Sequence, residues 1–156
     1  MGEFEMCPEC RAEYTDPLNR RFHAEPTACP KCGPQVKLLD HERTLISEKN
    51  SAINDTVKLI KEGKIIALKG IGGYQLICDA GNDEAIKILR KRKKRNEKPF
   101  ALMMPNIQMV KTECDVNEIE ERILTSVEAP ILLLKKKKEI ISALSNECAK
   151  GNPYLG

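Results

Sequence analysis

The chain has 156 residues, 26 Lys and Arg against 23 Asp and Glu, and a formal net charge of +3. That length allows one domain, or one domain with a small appendage, and a core of its own. No apolar run reaches the ~18 residues needed to cross a bilayer, the opening residues are acidic where a secretory leader would be basic, and 7 cysteines then indicate metal or buried thiols rather than a disulfide framework. A cytoplasmic setting with no membrane association is the expectation.

Residues 7–34 read CPECRAEYTDPLNRRFHAEPTACPKCGP. Two CxxC pairs, Cys7 with Cys10 and Cys29 with Cys32, can each point two thiolates at one ion and together complete a tetrahedral sulfur site suited to zinc. Between them only Tyr14, Leu18 and Phe22 are large and apolar, so metal has to supply much of the folding energy. A redox dithiol opens a helix after a strand; here Pro8 and Pro30 are expected to keep both pairs in loops. A site with four cysteines is closed, and therefore structural. His23 is expected to pack rather than ligate, and His41 to be solvated. Residues 1–40 thus read as a small zinc-ribbon-like four-cysteine module. Cys78, Cys114 and Cys148, scattered among apolar neighbours, read as buried thiols.

Residues 35–49 form a charged connector, with Val36, Leu38 and Ile46 allowing a short strand at either end. A second domain is expected over residues 48–156. Asn50 or Ser51 should cap a helix whose apolar stripe is Ile53, Val57 and Ile60, with Gly63 ending it. Residues 64–69 read as a buried strand and residues 74–78 as the next. Between them, Lys69, Gly70, Ile71, Gly72, Gly73 and Tyr74 match neither the Walker A loop nor GxGxxG. Taken alone, these glycines describe a turn linking two strands; they also allow backbone N–H groups to approach a ligand.

Asn82 should cap a further helix with Asp83 and Glu84 in its first turn and Ala85, Ile88 and Leu89 buried. It runs into six consecutive cations, residues 90–95, followed by Lys98 and a buried strand over residues 99–104. The helix dipole accounts for part of that run. Several cations at a helix–strand corner also suit an anionic ligand. Beyond Pro105 come helix patterns at 106–112 and 116–126, the latter on Val116, Ile119, Ile123 and Leu124. A buried strand is expected at 131–134, a solvated lysine run at 135–138 and a last helix at 139–149. The alternation gives an α/β, or α+β layered, domain.

The segments RRFHAEPTACPKCGP, KGIGGYQLICDA and RKRKKRNEKPFA together resemble the HypF family of hydrogenase-maturation carbamoyltransferases. The first resembles that family's second zinc-finger motif and the others the start of its YrdC-like domain. The resemblance implies a protein that uses carbamoyl phosphate and ATP, with Mg2+ as companion ion, to form a carbamoyl-adenylate and release pyrophosphate. The carbamoyl group would pass to a HypE-like maturation partner, as the source of the cyanide ligands of nickel–iron hydrogenase. It also implies that Lys93 and Arg95 correspond to a KxR pattern and Lys98 to the lysine before proline. Lys69, Gly70, Gly72, Gly73 and Tyr74 correspond to the glycine segment of an ATP and carbamoyl site. No catalytic residue is identified.

The family's acylphosphatase-like domain, first zinc-finger motif and Kae1-like domain have no counterpart here, and the YrdC-like domain breaks off early. The resemblance therefore implies a fragment, inactive alone. Two other readings compete. One is a relative of the threonylcarbamoyl-adenylate synthases of tRNA modification, which share the YrdC-like fold but show a threonine-rich segment where this chain has KGIGGY. The other is an RNA-binding module, double-stranded RNA included at the level of the fold. Three Tyr and three Phe offer few stacking platforms, which disfavours nucleic acid.

Overall fold

The computed structural model describes residues 5–138 and 142–156. The chain divides into two compact units, Met1–Val57 and Lys58–Gly156.

In the first unit, helix α1 spans Pro8–Thr15, with Cys7 as its N-cap. Pro8 therefore stands in a helix and not in the expected loop. Its fixed φ and missing N–H suit a first helical position. The chain then turns tightly: Asp16 Oδ1 accepts from the Leu18 N–H and Asn19 Oδ1 from the Arg21 N–H. Strands form at both ends of the connector, β1 at Lys37–Leu39 and β2 at Leu45–Glu48, paired antiparallel. Leu38 points inward, whereas Val36 and Ile46 stay exposed.

Helix α2, Lys49–Lys61, follows β2 directly, earlier than a cap at Asn50 or Ser51 would allow. Ala52 is its buried residue; Ile53 and Val57 of the expected stripe are exposed. Periodicity marks which face of a helix is apolar, but covering it takes a second layer. Gly63 ends the helix as expected, at φ 78, and donates to the Ile60 carbonyl while Lys64 N–H reaches Leu59. These two bonds are the Schellman closure.

In the second unit, β3 (Ile66–Gly70) and β4 (Gly73–Ile77) pair as an antiparallel hairpin. The expected burial of its first strand is not found: β3 is exposed from Ala67 onward, and Leu68 and Leu76 face solvent. Helix α3, Asp83–Lys93, is capped by Asn82, whose side chain accepts from the Ala85 N–H at 2.9 Å. Its buried face is Ala85, Ile86, Leu89 and Arg90, not the expected Ile88, which is exposed.

The buried strand expected at residues 99–104 is an extended segment instead. It donates from Phe100 to the Cys148 carbonyl and from Leu102 to that of Gly156, and leaves Met103 99 % exposed. Two helices follow where expected, α4 at Ile107–Glu113 and α5 at Glu118–Leu124. A reciprocal capping box between Asn117 and Glu120 starts the second. The strand expected at residues 131–134 begins only at its end: β5, Leu134–Lys135, pairs with β6, Tyr154–Leu155. Ile131 and Leu133 are exposed and Leu134 buried, so the run alternates rather than being buried throughout. Of the helix expected at 139–149, residues 139–141 lie outside the described residues, 142–145 are not helical, and Asn146–Ala149 form one 3-10 turn.

The core of this unit gathers Cys114, Leu134, Ala149 and Leu155, with Leu102, Val110 and Leu132 against them. Cys114 and Cys148 are buried thiols as expected, and Cys78 is half-buried. Helices and strands are mixed as the α/β expectation requires. The described strands form three separate two-stranded sheets rather than one layered sheet.

Candidate functional site

Two groups of side chains carry chemistry. The first is the cysteine cluster. Cys7 at the start of α1 and Cys10 one turn later are buried, and Cys29 and Cys32 flank the turn at Pro30. That turn is closed by the Gly33 N–H on the Cys29 carbonyl at 2.7 Å. The four sulfurs lie within 4.8 Å of one another. Cys29 Sγ is 3.7 Å from both Cys7 Sγ and Cys32 Sγ. A tetrahedron with zinc–sulfur bonds of 2.3 Å has an edge of about 3.8 Å, so the cluster fits a structural zinc.

The Lys31 N–H donates to Cys29 Sγ at 3.3 Å, the kind of bond that favours thiolate. Backbone hydrogen bonds hold the Cys32 thiol down to about 6 and that of Cys29 below its ordinary value. Burial, then the neighbouring thiols, push Cys10 up. The first pair does open a helix, so the loop argument against a redox dithiol does not stand. The convergence of all four sulfurs replaces it, since a redox pair needs only two. His23 is not among the ligands: its ring stacks on Tyr14 at 4.9 Å and meets the edge of Phe22 at 4.3 Å. His41 is solvated, as expected.

The second group is the basic corner after α3. Lys93 is the last residue of the helix and is exposed. Lys94 caps the helix in the left-handed region at φ 49, which turns the chain sharply. Arg95 is half-buried, donates from Nε to the Lys98 carbonyl at 3.1 Å and from Nη2 to the Pro99 carbonyl, and lies 5.0 Å over the Phe100 ring. Lys98 is exposed. Lys93, Arg95 and Lys98 therefore share one helix end and the loop leaving it.

Lys69, Gly70, Gly72, Gly73 and Tyr74 lie at the tip of the β3–β4 hairpin, where Lys69 pairs with Tyr74 and Gly70 with Gly73 across a two-residue turn. Gly73 adopts φ 122, which glycine tolerates, and a Cβ at Gly72 would meet nothing within 4 Å. Among the described residues no hydrogen bond or ion pair joins this tip to Lys93, Arg95 or Lys98.

Sequence reading missed Arg90. It is 6 % exposed, and its guanidinium bonds to carbonyls of two segments. The signal was present: Arg90 stands four residues after Ile86 and so on the same helical face.

Residues 58–156 match the Sua5/YciO/YrdC family, described as "Telomere recombination", and residues 6–39 match the HypF finger. The whole chain is 41 % identical to the carbamoyltransferase HypF of Rhodobacter capsulatus, covering 20 % of that protein. It is 45 % identical to that of Synechocystis sp., covering 27 % of it. Of solved structures, HypF from T. kodakarensis superposes with a TM-score of 0.83 at 45 % identity, over all of this chain and 20 % of that one. A full-length HypF in its phosphate- and nucleotide-bound form gives 0.76 at 45 %, with the same coverage. The chain thus spans a fifth to about a quarter of the length of the relatives it matches. With a family match over residues 58–156, the HypF finger ahead of it and similarity to carbamoyltransferase HypF proteins throughout, the chain belongs to the Sua5/YciO/YrdC family and carries a HypF finger.

Proposed function

We propose that this chain supplies the adenylating part of a carbamoyltransferase. Carbamoyl phosphate and ATP would yield carbamoyl-adenylate and pyrophosphate, and the carbamoyl group would pass to a HypE-like partner for the cyanide ligands of nickel–iron hydrogenase. The observation that carries this is identity of 41 % across the entire chain to a carbamoyltransferase HypF. The phosphate- and nucleotide-bound form of the full-length relative supports a nucleotide as the ligand.

In the proposed step water cleaves carbamoyl phosphate to carbamate and inorganic phosphate, and a carbamate oxygen then attacks the α-phosphorus of ATP, forming the carbamoyl-adenylate P–O bond as the bond to the departing pyrophosphate breaks. Charge grows on the leaving oxygens, and fixed cations that need no reorganisation lower that barrier. Lys93 and Lys98, both exposed, are suited to the outer phosphates. Arg95 has two of its donors engaged with carbonyls, which leaves Nη1 for an anion. Mg2+ would accompany ATP. Lys69, Gly70, Gly72, Gly73 and Tyr74 would close on the nucleotide or carbamoyl group from the hairpin side. Residues 1–40 would act as the zinc module and 48–156 as the YrdC-like domain, in the cytoplasm. The HypF finger and the identity of both units weigh against the threonylcarbamoyl-adenylate and RNA-binding readings.

The test places this chain in the full-length Rhodobacter capsulatus relative, in exchange for its matching fifth. Carbamoyl-phosphate-dependent ATP–pyrophosphate exchange is then measured. Lys93→Ala with Lys98→Ala is expected to lower exchange about 100-fold. Exchange at the unsubstituted rate overturns the assignment of these lysines, and exchange driven by threonine instead overturns the carbamoyl reading.

A further inference from the structure

Arg90 is the most heavily engaged side chain of the six-cation run. It is 6 % exposed. Its Nε donates to the Glu147 carbonyl at 2.7 Å and its Nη2 to that of Cys148 at 3.1 Å. Its Nη1 donates to the carbonyls of Arg95 at 2.9 Å, Lys98 at 3.3 Å and Asn96 at 3.4 Å. The guanidinium carbon also lies 4.7 Å from the centre of the Phe100 ring.

Among the described residues no carboxylate pairs with Arg90. Its charge is met by carbonyl dipoles and a ring face. A buried cation is costly unless its donors are satisfied, and here each of the three nitrogens has a partner. The loop supplies three of the five carbonyls, and it is the loop that carries Arg95 and Lys98. The other two belong to the 3-10 turn. Arg90 therefore bolts residues 95–98 to residues 147–148.

Arg95 lies over the same Phe100 ring, 5.0 Å from its centre. Two guanidinium groups near one ring repel each other, so the loop keeps its path through the carbonyl bonds and the shared ring. Lysine could not reproduce this. Its ammonium has three donors at a single point, while the planar fork reaches two directions at once.

We propose that Arg90 is the positioning residue of the basic corner: it fixes residues 95–98 so that Arg95 and Lys98 present their charges to a polyphosphate in one arrangement. The proposal deepens the adenylation reading and rests on it for the identity of the anion. It does not require Arg90 to touch the anion.

Two measurements on Arg90→Lys test it. The first is amide hydrogen exchange on the chain itself. Of residues 95–98 the Arg95 amide is the hydrogen-bonded one, to the Arg90 carbonyl at 3.1 Å, and it is expected to exchange at least about tenfold faster, while residues 85–89 of α3 keep their protection. The second is ATP–pyrophosphate exchange in the full-length background, where KM for ATP should rise about tenfold. Ile86→Val, which trims a core methyl from the same helix and removes none of the Arg90 hydrogen bonds, should lower Tm and leave KM unchanged.

Unaltered exchange at the Arg95 amide, an unaltered KM despite a loosened loop, or an equal KM change in Ile86→Val each overturns the proposal. If the unsubstituted background shows no ATP–pyrophosphate exchange, the adenylation reading falls, and amide exchange alone decides whether Arg90 fixes the loop. Should Arg90→Lys fail to fold, Phe100→Leu serves in its place: it removes the ring and no hydrogen bond, and the same loop-specific acceleration is expected at smaller size.

Discussion

Cys7 Sγ lies 3.7 Å from Cys29 Sγ across twenty-two positions of chain, and between them only Thr27 is buried among residues 11–28. Among the described residues no apolar side chain of that loop is buried, so the sulfur cluster is what closes it. A chelator is therefore expected to release about one zinc per chain and to abolish protease resistance in residues 5–36. Cys29→Ser should prevent stoichiometric zinc binding. Full chelation with no change in proteolysis would show that the loop holds itself.

Gly63 and Asn82 meet where one helix ends and another begins. A Cβ on Gly63 would come to 2.9 Å from Asn82 Nδ2, and Gly63 sits at φ +78. Gly63→Ala is expected to destabilise by about 1–2 kcal/mol, from left-handed strain and from disturbance of the α3 cap. Urea denaturation followed by circular dichroism measures it, and a stable Gly63→Ala would mean that the Asn82 cap contributes little.

Ile86 is among the largest fully buried side chains, 1 % exposed. Truncation to Ala should leave a cavity and cost about 2–4 kcal/mol. Ile88→Ala, two positions on and exposed, should cost well under about 1 kcal/mol. Thermal melts of the two variants distinguish this register from the one the bare periodicity favours.

Burial pushes the Cys148 thiol up to about 11 from an ordinary 9.0, and its Sγ donates to the Ala80 carbonyl at 3.4 Å. The folded state holds the neutral thiol more tightly than the unfolded state does. Its contribution is thus complete below pH 9 and is lost as pH rises toward 11. That gap is worth roughly 2–3 kcal/mol. Stability measured from pH 8 to 11 should fall, and Cys148→Ala should remove that part of the decline. A parallel decline in both proteins would assign it to other groups.

Some of this architecture was legible in the residues because the deciding interaction is local. The two CxxC pairs, the Asn82 cap and the Gly63 stop each depend on a few neighbouring positions, and the structure keeps all three. Burial was legible only where a partner layer exists. Residues 66–70 and 99–104 are apolar enough for a sheet interior, yet one is half of an exposed hairpin and the other makes only isolated bonds to Cys148 and Gly156. The basic run misled in another way. By residue type Arg90 and Lys93 look alike, but a guanidinium can be buried among carbonyls and an ammonium suits water. Register with Ile86 separated them, and charge did not. The clustering of cations at this helix end was therefore legible, while which of them is buried and which exposed was not.

The hairpin of β3 and β4 has a consequence for handling the chain. Among the described residues its two strands pair only with each other, so each has an outer margin of N–H and C=O groups, and Leu68, Ile71 and Leu76 stand in water beside them. Such margins add strands readily. Dilute, they are hydrated; crowded, they template cross-pairing between molecules. The ribbon is thus a margin at which crowding favours association, and Lys69, exposed on β3, is a charge of the kind that opposes such pairing.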